Sequence, residues 1–232
     1  ALTTACIPFA LWLIPESPSW LYARRPAGAL GRINAVLGRF GLAQMSTLPD
    51  PEQGADRTAL IEIFRPDMIR TTILLTLAYL THVTAYYYFV KWIPKLVVDM
   101  GFESSAGAGV LTNAMLGGAI GGGLLGLVAM KIGMRWTTII ALAGAFVMLN
   151  VFGLGSRNLA LLGWIAGLTA FFSNAAAVGF YALLAMAFPP HVRATGTGFG
   201  IGFGRAGAAM GPGLAGMLFE SGMGLQGVSL II

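Results

Sequence analysis

Charge is what this sequence has least of. Only 10% of its 232 residues are Asp, Glu, Lys or Arg, while 56% are hydrophobic. Soluble domains of this size carry about 25% charged residues, so the deficit excludes an ordinary soluble domain and selects an integral membrane protein. Cysteine is nearly missing as well. Cys6 stands alone, which excludes an intrachain disulfide and a cysteine-built metal site. The long apolar runs contain no Asp or Glu. They also lack the alternation of a membrane barrel, so strands are excluded as the spanning elements. No nucleophile–base pair, metal-ligand cluster or phosphate loop stands in the sequence. An enzyme is therefore not expected, nor a metal or other cofactor. The net charge of +5 comes from basic residues dispersed between apolar runs, a pattern of membrane topology and not of nucleic-acid binding.

What the sequence does have is glycine and apolar length. It holds 33 glycines. Five runs reach the roughly 20 apolar residues that a spanning helix needs: 71–90, 105–130, 137–155, 159–188 and 194–219. Residues 1–15 read as the end of a span that begins upstream, without the basic n-region of a signal peptide. Residues 223–232 read as the start of another span, so the chain is expected to be a fragment. Between 16 and 70 lies a polar connector with seven arginines and six acidic residues, in which short helices are expected at 28–40 and 56–64. The expected fold is an all-α polytopic bundle over 71–232. Placing the connector in the cytoplasm puts ten Lys and Arg on that side, including Lys131, Arg135 and Arg193, against three outside, Lys91, Lys95 and Arg157. The short loops alone give a tie.

Arg205 sits in the middle of the run 194–219. An arginine at the bilayer centre costs about 2.5–3.5 kcal/mol on insertion scales, and such residues normally face a cavity and serve function. With no acidic partner in any run, an anionic substrate is the attractive counter-charge. A structural arginine satisfied by helix-end carbonyls is the alternative. Tyr79, His82 and Tyr86 are spaced i, i+3, i+7 and share a helix face, which suggests a cavity lining; His82 could take part in proton coupling or simply hydrogen-bond a neighbouring helix. Asn113, and Asn174 with Tyr181 seven residues on, read as interhelix hydrogen bonding or substrate contact. Lys91 and Lys95 flank Pro94 at an expected span end. Gly118, Gly122 and Gly126 form one small-residue ladder, and Gly196, Gly200 and Gly204 another. Gly202 to Gly207 matches the dinucleotide pattern GxGxxG, but no strand precedes it and no acidic residue follows at the required distance, so that reading is rejected.

Three stretches resemble the major facilitator superfamily. Pro15 to Leu21, PESPSWL, is similar to the motif that follows helix six there, with Glu16 in place and Ser19 where Arg is usual. Gly126 to Arg135, GLVAMKIGMR, resembles the loop between helices eight and nine. Gly126, Lys131, Gly133 and Arg135 match it, while Met130 replaces the motif's Asp. Pro189 to Gly216, with Arg193-Ala194-Thr195-Gly196 and the surroundings of Arg205, resembles the aromatic acid:proton symporter family, as does KWIPKLVVDMGF from Lys91. The resemblance implies the C-terminal six-helix half of a twelve-helix transporter, truncated: 1–15 the end of helix six, 16–70 a cytoplasmic loop, and 71–232 helices seven to eleven with the start of twelve. It further implies a substrate bound between two halves with alternating access, a proton as coupling ion, and a missing N-terminal half as partner. The expected location is then a bacterial inner membrane, and the expected substrate a small organic acid, an aromatic carboxylate above all. Arg205 would hold the carboxylate, with Tyr79, His82, Tyr86, Asn113, Asn174 and Tyr181 lining the cavity. A sugar or drug transporter, or a non-transporting sensor, remains open as an alternative.

Overall fold

The computed structural model of the protein describes residues 16–18, 21–22, 25–48 and 59–232. The span end expected at 1–15 lies outside these. The chain divides into two compact units, Ala1–Ala55 and Asp56–Ile232. The first is built on α1 (Ala29–Arg39), which Gly28 enters at φ 77°, a left-handed conformation that glycine adopts without strain. Among the described residues Leu21, Ala29 and Ile33 are buried together there. Asn34 pins the returning chain by two bonds: its Nδ2 donates to the Met45 carbonyl at 2.9 Å and its Oδ1 accepts from the Met45 N–H at 2.8 Å. Glu16 pairs with Arg32 at 3.4 Å with both side chains exposed.

The second unit is wholly helical among the described residues. A short α2 (Ala59–Glu62) precedes α3 (Ile69–Asp99), α4 (Ser104–Ile132), α5 (Met134–Gly153) and α6 (Leu159–Ala187). These last four are long and apolar enough to cross a membrane. The fifth apolar run is not one helix. It forms α7 (Arg193–Gly204) and α8 (Ala206–Glu220), with Arg205 at φ −65°, ψ −16° between them. At the break the hydrogen-bond register tightens, the Ala208 N–H donating to the Arg205 carbonyl at 3.0 Å, an i→i+3 bond. The glycines at 202, 204 and 207 weaken the helix here. α9 (Leu225–Ile231) closes the described chain.

α3 also differs from expectation. It continues past Val90 through Lys91 and Pro94 to Asp99. Lys95 is the partner of Asp99 at 2.6 Å, one turn on, and lies over the Trp92 ring at 5.5 Å. The charges that suggested a span end therefore decorate the last turns of a longer helix. Trp92 anchors that end to α8, its Nε1 donating to the Pro212 carbonyl at 3.2 Å.

Glycine sets how closely the helices approach. On α7 and α8, a Cβ at Gly196 would meet the Phe188 ring, at Gly200 Leu184, at Gly204 the Tyr79 ring, at Gly207 the Leu80 carbonyl and at Gly211 the Thr84 carbonyl. The expected ladder at 196, 200 and 204 thus faces α6 and α3, and it extends to 211. The other expected ladder is corrected. Gly117 and Gly121 of α4 lie against the Gly167 and Phe171 backbone of α6, and Gly118 against the Asn174 side chain, whereas Gly122 touches only Val178 and Gly126 has nothing within 4 Å. Outward-facing Leu116, Leu127 and Trp164 are exposed, as the lipid-facing positions of a bundle must be. At one end the core is Tyr88, Phe89, Ile93, Phe152 and Leu162. At the other, Ile63 from the connector is buried with Leu184, Phe188 and Val192.

Candidate functional site

Two hydrogen-bonded pairs join α3 to α6. The Tyr79 hydroxyl donates to the Tyr181 hydroxyl at 3.2 Å. Seven residues further along α3, the Tyr86 hydroxyl accepts from Asn174 Nδ2 at 3.2 Å. The helices are antiparallel, so the seven-residue steps 79–86 and 174–181 match, and the pairs lie two turns apart, about 10.5 Å. Asn174 Nδ2 also donates to the Ala170 carbonyl at 3.3 Å, which fixes the orientation of the amide. Gly118 clears the space that this amide occupies. Tyr79 is buried, Tyr86 and Asn174 are half-buried, and Tyr181 is exposed. The pairing accounts for these four residues more specifically than a shared cavity face does.

Arg205 reaches this region from the α7–α8 break. Its neighbour Gly204 lies against the Tyr79 ring. The Arg205 side chain is exposed and makes no ion pair or hydrogen bond among the described residues. It lines an open groove of about 780 Å³ with Arg193, Thr197 and Ile201, all at four-residue steps on one face of α7. Arg193, read from sequence as a loop-motif residue, donates from Nε to the Phe188 carbonyl at 3.4 Å and so caps the end of α6. Thr197 was missed in the sequence, although its four-residue step from Arg193 was readable.

His82 is turned elsewhere. It is buried, and its ring is 5.6 Å from that of Phe180. Its Nε2 has no partner among the described residues. With Ser173, Phe89 and Phe146 it lines a separate cavity of about 280 Å³, to which Tyr86 also contributes but Tyr79 does not. Of the expected common face, His82 and Tyr86 thus line one cavity together, while Tyr79 is turned to Tyr181. Asn113 lies over Gly163 and Gly167 in the α4–α6 seam, three turns of α6 from Asn174. In the loop motif, Gly133 turns α4 directly into α5 at φ 82°. Lys131 and Arg135 are exposed, Arg135 lying over the Trp136 ring at 5.9 Å, and Met130 is 80% exposed where the motif carries its acid.

Among the described residues no group of His, Cys, Asp and Glu could hold a metal. The arrangement offers instead a cation and hydroxyls beside tyrosine rings, suited to an anion with an aromatic body.

No protein-family model matches the chain. Individual relatives do. The 3-(3-hydroxy-phenyl)propionate transporter of Escherichia coli strain K12 is 33% identical over 168 residues, 72% of this chain and 41% of that protein. The gallate transporter of Pseudomonas putida is 29% identical over 228 residues, 97% of this chain and 50% of its own length. The benzoate transport protein of Acinetobacter baylyi is 35% identical over 132 residues, 56% of this chain and 28% of its own. The chain thus spans half or less of the length of these relatives. It is an integral membrane protein of helical half-bundle form, homologous to bacterial aromatic-acid transporters and similar to the aromatic acid:proton symporters of the major facilitator superfamily.

Proposed function

We propose that the chain is the C-terminal half of a secondary transporter of the bacterial inner membrane, which carries small aromatic carboxylates in symport with protons by alternating access. One observation carries the reading: Arg205, mid-run in the last long apolar segment, is exposed and unpaired among the described residues beside the Tyr79–Tyr181 pair. A guanidinium fork matches a planar carboxylate, and a Lys would supply the charge without the fork. The Tyr181 hydroxyl adds a donor at the same end. The break at Arg205 places a cation in the middle of the run, and interrupted helices are where transporters of this kind hold their substrates. The N-terminal half of the same protein would close the other side of the site and carry the proton-coupling acids.

The test is competition. In cells expressing the complete protein, uptake of labelled benzoate should be reduced by unlabelled aromatic acids and indifferent to benzamide and to sugars. It should also fall when a protonophore collapses the proton gradient. Competition by benzamide as strong as by benzoate would overturn the carboxylate reading. Uptake that survives the protonophore would overturn symport.

A further inference from the structure

We propose that Arg193 and Arg205 act in sequence on an anion: Arg193 is an entry station that draws a carboxylate into their shared groove, and Arg205 is the site to which it passes. The proposal rests on the assignment of Arg205 to the carboxylate.

Uncompensated charge carries it. The groove is lined by both arginines and, among the described residues, by no acid. Glu62, from the connector, is already engaged by His191 at 3.1 Å and by Arg65 at 3.7 Å. Neither Arg193 nor Arg205 forms an ion pair among the described residues. Arg193 is exposed and donates only from Nε, to the Phe188 carbonyl at 3.4 Å, so the two terminal nitrogens of its fork are free for a ligand. A cleft lined by one sign of charge concentrates its field and speeds capture of the opposite charge by about 10- to 1,000-fold.

Position assigns the order. Arg193 opens α7 at the end of the bundle where Ile63 of the connector is buried with Leu184, Phe188 and Val192. Arg205 follows twelve residues later, about 18 Å along the axis. An anion arriving from the connector face therefore meets Arg193 first. Between the two cations the groove gives it no resting place. The Thr197 hydroxyl spends its one proton on the Leu184 carbonyl at 3.3 Å, which leaves it only acceptor lone pairs. Ile201 is apolar, and a Cβ at Gly198 or Gly202 would meet nothing within 4 Å, so the way is open. Two stations result, one at each guanidinium.

The experiment measures the half-saturation concentration for exchange of labelled benzoate, at each face of the membrane, in inside-out and right-side-out vesicles holding the complete protein. Arg193→Gln and Arg193→Lys are compared with the wild type. Both side chains can still donate to the Phe188 carbonyl, but only Lys keeps the charge. At about 0.01 M salt, where the screening length is about 30 Å, Arg193→Gln should raise half-saturation roughly tenfold at the connector face, the low end of such steering. It should leave the opposite face unchanged, and Arg193→Lys should match the wild type. At about 1 M salt, where screening falls to about 3 Å, the difference should vanish. A merely structural cap would alter both faces, or the amount of protein, without regard to salt. An Arg193→Gln variant with unchanged half-saturation, as when Arg193 holds only a lipid headgroup, overturns the entry station. So does a rise at both faces, at the opposite face alone, or one that persists at high salt. If Arg205→Gln nonetheless abolishes exchange, only the entry station falls; if Arg205→Gln exchanges like the wild type, the carboxylate assignment falls with it.

Discussion

Alanine at Gly204 and alanine at Gly202 should have opposite consequences, although the two positions are two residues apart on one helix. A Cβ at Gly204 would collide with the Tyr79 ring, reaching Cε1 at 2.8 Å and Cγ at 3.2 Å. The ring cannot swing clear: it is buried, with Phe180 5.6 Å away and Tyr181 5.8 Å away by ring centroids. Overpacking of this kind costs about 1–3 kcal/mol. Displacing Tyr79 also forfeits its hydrogen bond to Tyr181, a further 0.5–1.5 kcal/mol or about that. A Cβ at Gly202 meets nothing within 4 Å. The gain in helix propensity, about 1 kcal/mol per Gly→Ala, is common to both and cancels in the comparison. Gly204→Ala should therefore be less stable than Gly202→Ala by roughly 2–4 kcal/mol. For a chain of this size that separates their melting temperatures by roughly 4–16 °C, measured by thermal unfolding in detergent. Equal melting temperatures would refute the close approach of α7 to α3 on which the placement of Arg205 depends.

The same contrast applies in the α4–α6 seam. Gly121→Ala, which drives a methyl into the Phe171 backbone, should lower stability by at least about 1–3 kcal/mol, and Gly126→Ala should not, by the same unfolding assay. Ile63→Ala should cost about 2–5 kcal/mol because the side chain is fully buried. His191→Ala should cost at most about 1 kcal/mol, since its 3.1 Å contact with Glu62 is exposed on the histidine side. Ser229→Ala strands the buried Tyr88 hydroxyl, now 3.0 Å from Ser229 Oγ, and should cost about 1–3 kcal/mol; adding Tyr88→Phe should recover part of that loss in a double-mutant cycle.

Helix positions were readable from composition because each spanning run must satisfy its own backbone and turn apolar atoms to lipid. What was not readable depended on partners. The end of α3 is an example. Lys91, Lys95 and Pro94 look like a terminus in isolation, but Lys95 pairs with Asp99 and Trp92 reaches Pro212, so the helix continues. The break in the last run falls at Arg205 and not at Pro212, which stays inside α8. The glycine count was plain in the sequence, yet a four-residue period in α4 could start at any of several glycines. Only the position of α6 selects 117, 118 and 121 over 122 and 126.

The candidate site divides in the same way. The equal seven-residue spacings of Tyr79–Tyr86 and Asn174–Tyr181 were in the sequence, and antiparallel helices turn equal spacings into two matched pairs. His82 shared the helical phase of the tyrosines, and it lines one cavity with Tyr86 but not with Tyr79, whose hydroxyl is committed to Tyr181. Arg205 needed no structure to be noticed, because an unpaired cation in an apolar run is costly wherever it lies. The structure adds its neighbours.

The most direct measurement is uptake of labelled benzoate-type acids by cells expressing the complete protein, as wild type, Arg205→Lys and Arg205→Gln at equal membrane abundance. The account predicts uptake by the wild type, loss of at least about tenfold in Arg205→Gln, and only partial recovery in Arg205→Lys, where charge is kept and the bidentate fork is lost. Uptake by Arg205→Gln equal to that of the wild type would contradict it and make Arg205 a structural residue.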